Sequence, residues 1–358
     1  MFSIGFAGTR SYGACMGSKI IRSLLLLILF GAAAGGVRTS YRSNSQSITF
    51  RRLAFDSNDP RINRVGQLRF RGAWELRSQN TDFGGISALT ILADGRFVGL
   101  SDAGTLIGFG LTNDDRADHP FIAPLPETLG PGKTYRDRDT EGLAYDGDTG
   151  QFWVSYENRN MIRRFSPSFG RSDGMIQPAA MRDWNYNSGP ETLIRFPDGR
   201  FAAISEATLR PDGSYDAVMF SGDPVEAGTS NFSFGYRPPP GYKATDAKLL
   251  PDGRLLILNR HIGFPEGFSA ILSVLDPADI AKDAVVQSTA IAVLKAPLLV
   301  DNMEGLAIAR EGNDTVIWLI SDDNFNVWQR SLLMKFTLIE DTKKPAATLA
   351  PGFDSLTE

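Results

Sequence analysis

The chain has 358 residues, 42% of them apolar, with 36 glycines and 20 prolines, a composition that fits a globular protein and excludes a disordered or collagenous one. Its formal charge of −4, from 37 basic and 41 acidic residues, argues against a nucleic-acid partner. One cysteine, Cys15, excludes an internal disulfide framework and a cysteine metal site.

Residues 1–34 read as an export leader. Lys19 and Arg22 precede the apolar run Leu24–Phe30, and Ala32, Ala33 and Ala34 follow, which is the charged, apolar, small order of a signal peptide. The apolar run is short for a membrane span. Met16 offers a second start that keeps the same leader. Cleavage after Ala34 removes Arg10, Lys19 and Arg22 and no acid, taking the formal charge from −4 to −7. The mature chain is therefore expected to be periplasmic or secreted and free of the membrane. With no heptad or apolar stripe to mark an interface, it is expected to be a monomer. The expected organisation is an extension at 35–65, one domain at 66–340 and a tail at 341–358.

Within that domain one segment is written five times: an acidic or glycine residue, an apolar run, a turn, and a second apolar run ending in polar residues. The copies begin at Phe83, Asp139, Gly189, Ala244 and Asp301. Asp94-Gly95, Asp198-Gly199 and Asp252-Gly253 supply hairpin turns in three copies, and longer turns at Asp146–Gly150 and Glu311–Asp314 serve the other two. Further apolar stretches follow each hairpin: Leu106–Leu111, Met161–Phe165, Tyr215–Ser221, Ala270–Leu275 and Leu332–Leu338. Fourth strands are expected near Phe121 and over Ile176–Met181, Asn231–Tyr236 and Val285–Leu294. The fifth copy lacks one, and Gln67–Leu76 is expected to return from the N-terminus to complete it, removing the open edge. The predicted fold is an all-β propeller of five four-stranded blades closed by an N-terminal strand; six blades are the alternative.

A propeller turns equivalent positions of its repeats toward one axis, so the candidate site follows from the repeat. The heads of the first strands give a ring of Gly84, Glu141, Glu191, Asp246 and Glu304. Four converging carboxylates call for a cation, and an all-oxygen set suits calcium or magnesium. The ends of the second strands give Asp102, Tyr156 with Glu157, Glu206, Arg260 with His261, and Asp322 with Asp323. Arg260 can grip an anion and His261 can move a proton, so Arg260, His261 and Glu206 are the catalytic candidates. Tyr156, Glu157, Asn158, Arg159 and Arg138 are the candidates for holding substrate. Glu141, Glu191, Asp246, Glu304, Asp102 and Asp322 are those for holding metal. Ser101, Ser155, Ser205 and Ser321 recur near His261, but serines repeated in this way read as structural. No nucleophile elbow, zinc helix, phosphate loop or dinucleotide fingerprint is present.

RDTEGLAYD, FWVSYENRN, DNMEGLAI and WLISDDNF, with FGGISAL and LPDGRLLILNR, carry a resemblance over Phe83 to Phe336. The chain resembles the phytase-like family of exported bacterial proteins, described as having esterase-like activity of phytase. The resemblance implies a propeller and hydrolysis of a phosphoester or ester of a small molecule, with calcium as cofactor, by analogy with calcium-dependent propeller phytases. Glu141, Glu191, Asp246 and Glu304, with Asp102, Glu206 and Asp322 behind them, match that character. The ring is also similar to that of five-bladed calcium-dependent nucleotidases. The chain lacks the dense lysine and arginine cluster that a highly phosphorylated substrate needs, which points to a simpler phosphoester. The alternatives are a periplasmic propeller that binds a ligand or protein without catalysis, and a calcium-dependent lactonase.

Overall fold

The computed structural model describes residues 43–126, 137–186 and 188–339, so the predicted leader and the tail at 341–358 lie outside the described residues. Its strands are β1 (Thr49–Arg52), β2 (Arg64–Val65), β3 (Leu68–Arg77), β4 (Ile86–Ile91), β5 (Phe97–Ser101), β6 (Thr105–Leu111) and β7 (Ala117–Pro124). Next come β8 (Thr140–Tyr145), β9 (Phe152–Tyr156), β10 (Met161–Phe165), β11 (Ser172–Ile176), β12 (Pro190–Arg195), β13 (Phe201–Leu209), β14 (Tyr215–Phe220) and β15 (Asn231–Arg237). The last are β16 (Lys243–Leu249), β17 (Leu255–Gly263), β18 (Gly267–Leu275), β19 (Val285–Gln287), β20 (Thr289–Lys295), β21 (Met303–Glu311), β22 (Asp314–Ser321) and β23 (Leu332–Leu338).

They form five antiparallel blades: β4 to β7, β8 to β11, β12 to β15, β16 to β18 with β20, and β21 to β23 with β3. The chain is a five-bladed propeller. β3 pairs along β23 from Leu332 against Glu75 to Leu338 against Leu68, so the N-terminal strand closes the ring as its sequence predicts. The stretch before residue 66 takes part as well. β1 adds outside β3, and Ile48 and Phe55 are buried.

The hairpin turns explain the repeat. Gly95, Gly199 and Gly253 have φ of 84°, 87° and 87°, and Asp94, Asp198 and Asp252 each accept from the backbone N–H two residues on at 3.1 Å.

Two fourth strands differ from expectation. In the second blade it is β11 rather than Ile176–Met181, because Pro178 ends the extended run and Ala179–Met181 turns inward to bury Met181. In the fourth it is β20 alone. β19 instead pairs in parallel with β15 of the third blade and ties the two together.

Every first strand carries one extra residue at the same place. Ser87, Glu141, Glu191, Thr245 and Glu304 each fall inside a register shift against the second strand of their blade. Such a bulge re-aims the side chain it contains. The repeat's true ring is therefore Ser87, Glu141, Glu191, Thr245 and Glu304, and Gly84 and Asp246 fall outside it.

The glycines that follow two of these acids let the inner strands approach. A Cβ on Gly142 would lie 2.9 Å from the backbone nitrogen of Leu193, and one on Gly305 would lie 3.0 Å from backbone atoms of Ala88 and Leu89. The Glu-Gly-Leu-Ala segments thus join a ring acid to the packing of one blade on the next.

Candidate active site at the channel mouth

Three positions per blade meet at one end of the channel. The first is the bulge residue. The second, two residues earlier, is Gly85, Asp139, Gly189, Lys243 and Asn302. The third lies at or near the end of the second strand: Asp102, Glu157, Glu206, Arg260 and Asp322. The backbone fixes the second to the third, since the N–H groups of Asp102, Glu157, Glu206 and Asp322 donate to the carbonyls of Gly85, Asp139, Gly189 and Asn302 at 2.9 to 3.0 Å. In the fourth blade Lys243 pairs with Arg260 across the same rung.

The mouth thus gathers eight carboxyls, Asp102, Asp139, Glu141, Glu157, Glu191, Glu206, Glu304 and Asp322, against Arg260 and Lys243. Arg260 holds one side of it. Its Nη1 donates to Asn302 Oδ1 at 2.9 Å, its Nη2 to Glu206 Oε1 at 3.2 Å, and its Nε lies 3.2 Å from Glu304 Oε1. Lys243 Nζ adds a contact to Glu206 Oε1 at 3.3 Å, and Asn302 Nδ2 donates to Asp322 Oδ2 at 3.4 Å. Among the described residues, the second and third blades supply no such cation. Asp139, Glu141 and Glu157 form one set, and Glu157, Glu191 and Glu206 another, in which one oxygen per residue lies within 4.8 Å of the others.

Burial and mutual repulsion set the protonation. Desolvation, then the Asp139 charge, pushes Glu157 up to about 8. Desolvation pushes Glu304 up to about 7 despite Arg260, with Glu206 adding to the rise. Glu141, Glu191 and Asp322 are held well above the usual carboxylate range by desolvation first, and then by Glu191, Glu206 and Asp102 respectively. Desolvation opposes the charge on Arg260, yet Glu304, Glu191 and Glu206 raise its pKa above the ordinary value. Glu304, only 7% exposed, keeps its Oε2 buried with no hydrogen-bond partner among the described residues.

A family model, Phytase-like, described as esterase-like activity of phytase, matches residues 81–325. The chain belongs to that family. No curated protein matches it. Among solved structures, the phytase-like chain is similar to the major allergen Mala s 1 of Malassezia sympodialis at 13% identity, covering 77% of this chain and 91% of that one, with a TM-score of 0.43. It is also similar to a protein of unknown function from Dyadobacter fermentans at 9% identity, covering 76% and 100%, with a TM-score of 0.44. A third is the β-propeller domain of Cps50 (Swd1) from Myceliophteria thermophila at 9% identity, covering 82% and 100%, with a TM-score of 0.36.

The phytase-like chain brings together Asp102, Glu141, Glu157, Glu191, Glu206, Arg260, Glu304 and Asp322 of the predicted site, and leaves others apart. Asp246 is 1% exposed and satisfied by the N–H groups of Ala247 and Leu306 at 2.7 and 2.8 Å and by Lys248 Nζ at 2.5 Å. It pins the fourth blade to the fifth. Replacing it with alanine strands Lys248 and two amides, and the expected loss is about 3 to 5 kcal/mol, measured by urea unfolding. Tyr156 lies in the apolar core with Leu143, Val154 and Phe165, because it pairs with Thr140 on the rung that Ser101, Ser205 and Ser321 fill in their own blades, and the mouth position falls to the next residue, Glu157.

His261 points to the other side of its strand from Arg260, places Nδ1 2.7 Å from the Gly241 carbonyl and rests on Tyr242. Ser101, Ser155, Ser205 and Ser321 are all buried and bonded to other groups, so none of these four pairs with it. Asn158 is bound to Asp139, Arg159 Nη2 lies 2.6 Å from Asp137 Oδ1, and Arg138 packs over Gly104. Asp139 and Asn302 are the residues that sequence reasoning missed. Each stands two places before a ring glutamate, and aligning that position across all five copies would have found them.

Proposed function

We propose that the chain is an exported hydrolase of a small phosphoester or carboxylic ester, working with a calcium ion held at the channel mouth. The observation that carries this reading is the crowd of buried carboxyls that has, among the described residues, cations on one side only and a glutamate oxygen that no donor reaches. The residues fit the ion. The donors are all oxygen, which suits calcium, and charges this close cannot all ionise without a counter-charge. Asp139, Glu141, Glu157, Glu191 and Glu206 would hold it.

When bound there, calcium supplies Lewis-acid polarisation of a phosphoryl or carbonyl oxygen. The side chains supply the rest. Glu304, which stands outside the residues that would hold the ion, exchanges a proton near neutral pH, as a group must to take a proton from an attacking water and return it to a leaving oxygen. Arg260 keeps Glu206 and Glu304 in place, so it positions rather than grips. The Asp139 contact fixes Asn158 beside Glu157.

The test is turnover of 4-nitrophenyl phosphate and 4-nitrophenyl acetate by the chain from Gly35 onward, with calcium or with EDTA. Turnover should require calcium and fall about 100-fold or more in Glu304→Gln. Calcium binding by calorimetry with no turnover would leave a ligand-binding propeller. No calcium binding would make the acid ring structural.

A further inference from the structure

Beside the acid-lined mouth lies a pocket of the opposite character. The turn Glu157–Arg159 ends at Asn160 in left-handed backbone, with φ of 44°. A cavity of about 350 Å³ opens at this point, lined by Asn158, Arg159, Asn160, Gln177, Pro178 and Arg182. Its lining has two guanidinium groups, three amides and no carboxylate, in a chain whose acids outnumber its bases.

The neighbouring groups shape the cavity and leave Arg182 as its cation with no ion pair among the described residues. Asp137 takes one nitrogen of Arg159, and Gln177 Nε2 donates to the Arg159 carbonyl at 2.9 Å, which fixes the turn. Asn158 occupies Asp139 and so stands between that acid and the cavity. Arg182 is exposed and has no ion pair among the described residues. The cavity volume sits at the small end of ligand pockets, about 300 to 1,000 Å³.

We propose that this cavity is an anion subsite, in which Arg182 and Arg159 receive a phosphate or carboxylate group through charge-assisted hydrogen bonds. Glu157 and Arg159 belong to a single 3₁₀ turn, about 4 Å apart along its axis. A molecule long enough to span the turn would reach both the carboxyls around Glu157 and the arginines. Resting on the reading of the mouth given above, the substrate then carries a second anionic group besides the one that reacts, and Arg159 and Arg182 choose it. The anion binding itself is independent of that reading.

The experiment is calorimetric titration of EDTA-treated protein with inorganic phosphate and, separately, with acetate. Expected is binding of one of them at about 1 mM or tighter, weakened about tenfold or more in Arg182→Gln and in Arg159→Gln. Arg171→Gln, an exposed arginine on the outer side of the same blade, should bind like the parent. Phosphate alone identifies a phosphoryl group and acetate alone a carboxylate. No binding of either, or equal weakening in Arg171→Gln, overturns the subsite. In turnover, a substrate with a second anion should show a raised KM and an unchanged kcat in Arg182→Gln. A chain that binds phosphate in this way and hydrolyses nothing would sink the hydrolase reading and leave the subsite standing.

Discussion

In EDTA the protein should melt at lower temperature as the pH is raised from about 5 to 8, and saturating calcium should remove most of that slope. Glu304 at about 7 and Glu157 at about 8 both stand above the ordinary 4.5 of a glutamate. Their folded-state pKa values are raised, so between these limits the folded chain holds protons that the unfolded chain has released. Stability is then present below the unfolded value and lost as pH climbs through the folded one.

For Glu304 alone the shift from 4.5 to about 7 corresponds to about 3 kcal/mol. The carboxyls titrate as one coupled set, so their shifts do not add. For a domain of this size that is a fall of roughly 5 to 10 °C. Calcium opposes it because a ligand held only by the native state stabilises that state, and it replaces the protons as counter-charge. Glu304→Gln, which is neutral at every pH, should melt higher than the parent at pH 8 in EDTA and show a shallower slope. Calorimetric melting across pH 5 to 8, with and without calcium, checks all of this. A flat profile in EDTA would mean that water already solvates the ionised carboxyls of the mouth and that their pKa values are not raised.

The blades, their turns and the closing strand were legible because each depends on a local signal repeated five times. An Asp-Gly turn needs a positive φ wherever it occurs, and Gln67–Leu76 alternates enough to read as a strand without knowledge of its partner. The bulge was not legible. It is set by which N–H meets which carbonyl on the neighbouring strand, and it shifts the ring by a single residue. Choosing acids to mark the ring selected Asp246, whose neighbour Thr245 holds the position, and Gly84, which stands three residues before Ser87.

Equally hidden was the pairing of Tyr156 with Thr140, which turns it into the apolar core and leaves the mouth position to Glu157. Arg260 is the base among the acids at its position, but its engagement by Glu206 from the third blade and by Glu304 and Asn302 from the fifth leaves no local mark. β19 was missed for a similar reason, since its partner is in another blade.

Arg260→Ala should destabilise the metal-free protein by about 3 to 5 kcal/mol at neutral pH, the usual cost of removing one partner from a buried charge pair. The guanidinium is the main counter-charge for Glu206 and Glu304, and Asn302 relays its position to Asp322. Without it those carboxyls must take up protons or separate. Lowering the pH to about 5 supplies the protons and calcium supplies charge, so either should restore most of the loss. Arg260→Lys keeps the charge but cannot span three partners in a plane, and it should fall between the parent and alanine.

Urea unfolding of the three proteins at pH 5 and 7, with and without calcium, measures the expected order. Turnover separates the two roles open to this residue. A guanidinium that touched the substrate would leave Arg260→Ala inactive even after calcium had restored its stability. One whose contacts are all taken by Glu206, Glu304 and Asn302 acts by holding the ring. In that case activity and stability should return together as calcium is raised, and the pH dependence of Arg260→Ala should shift upward as Glu304 loses the neighbour that lowers its pKa.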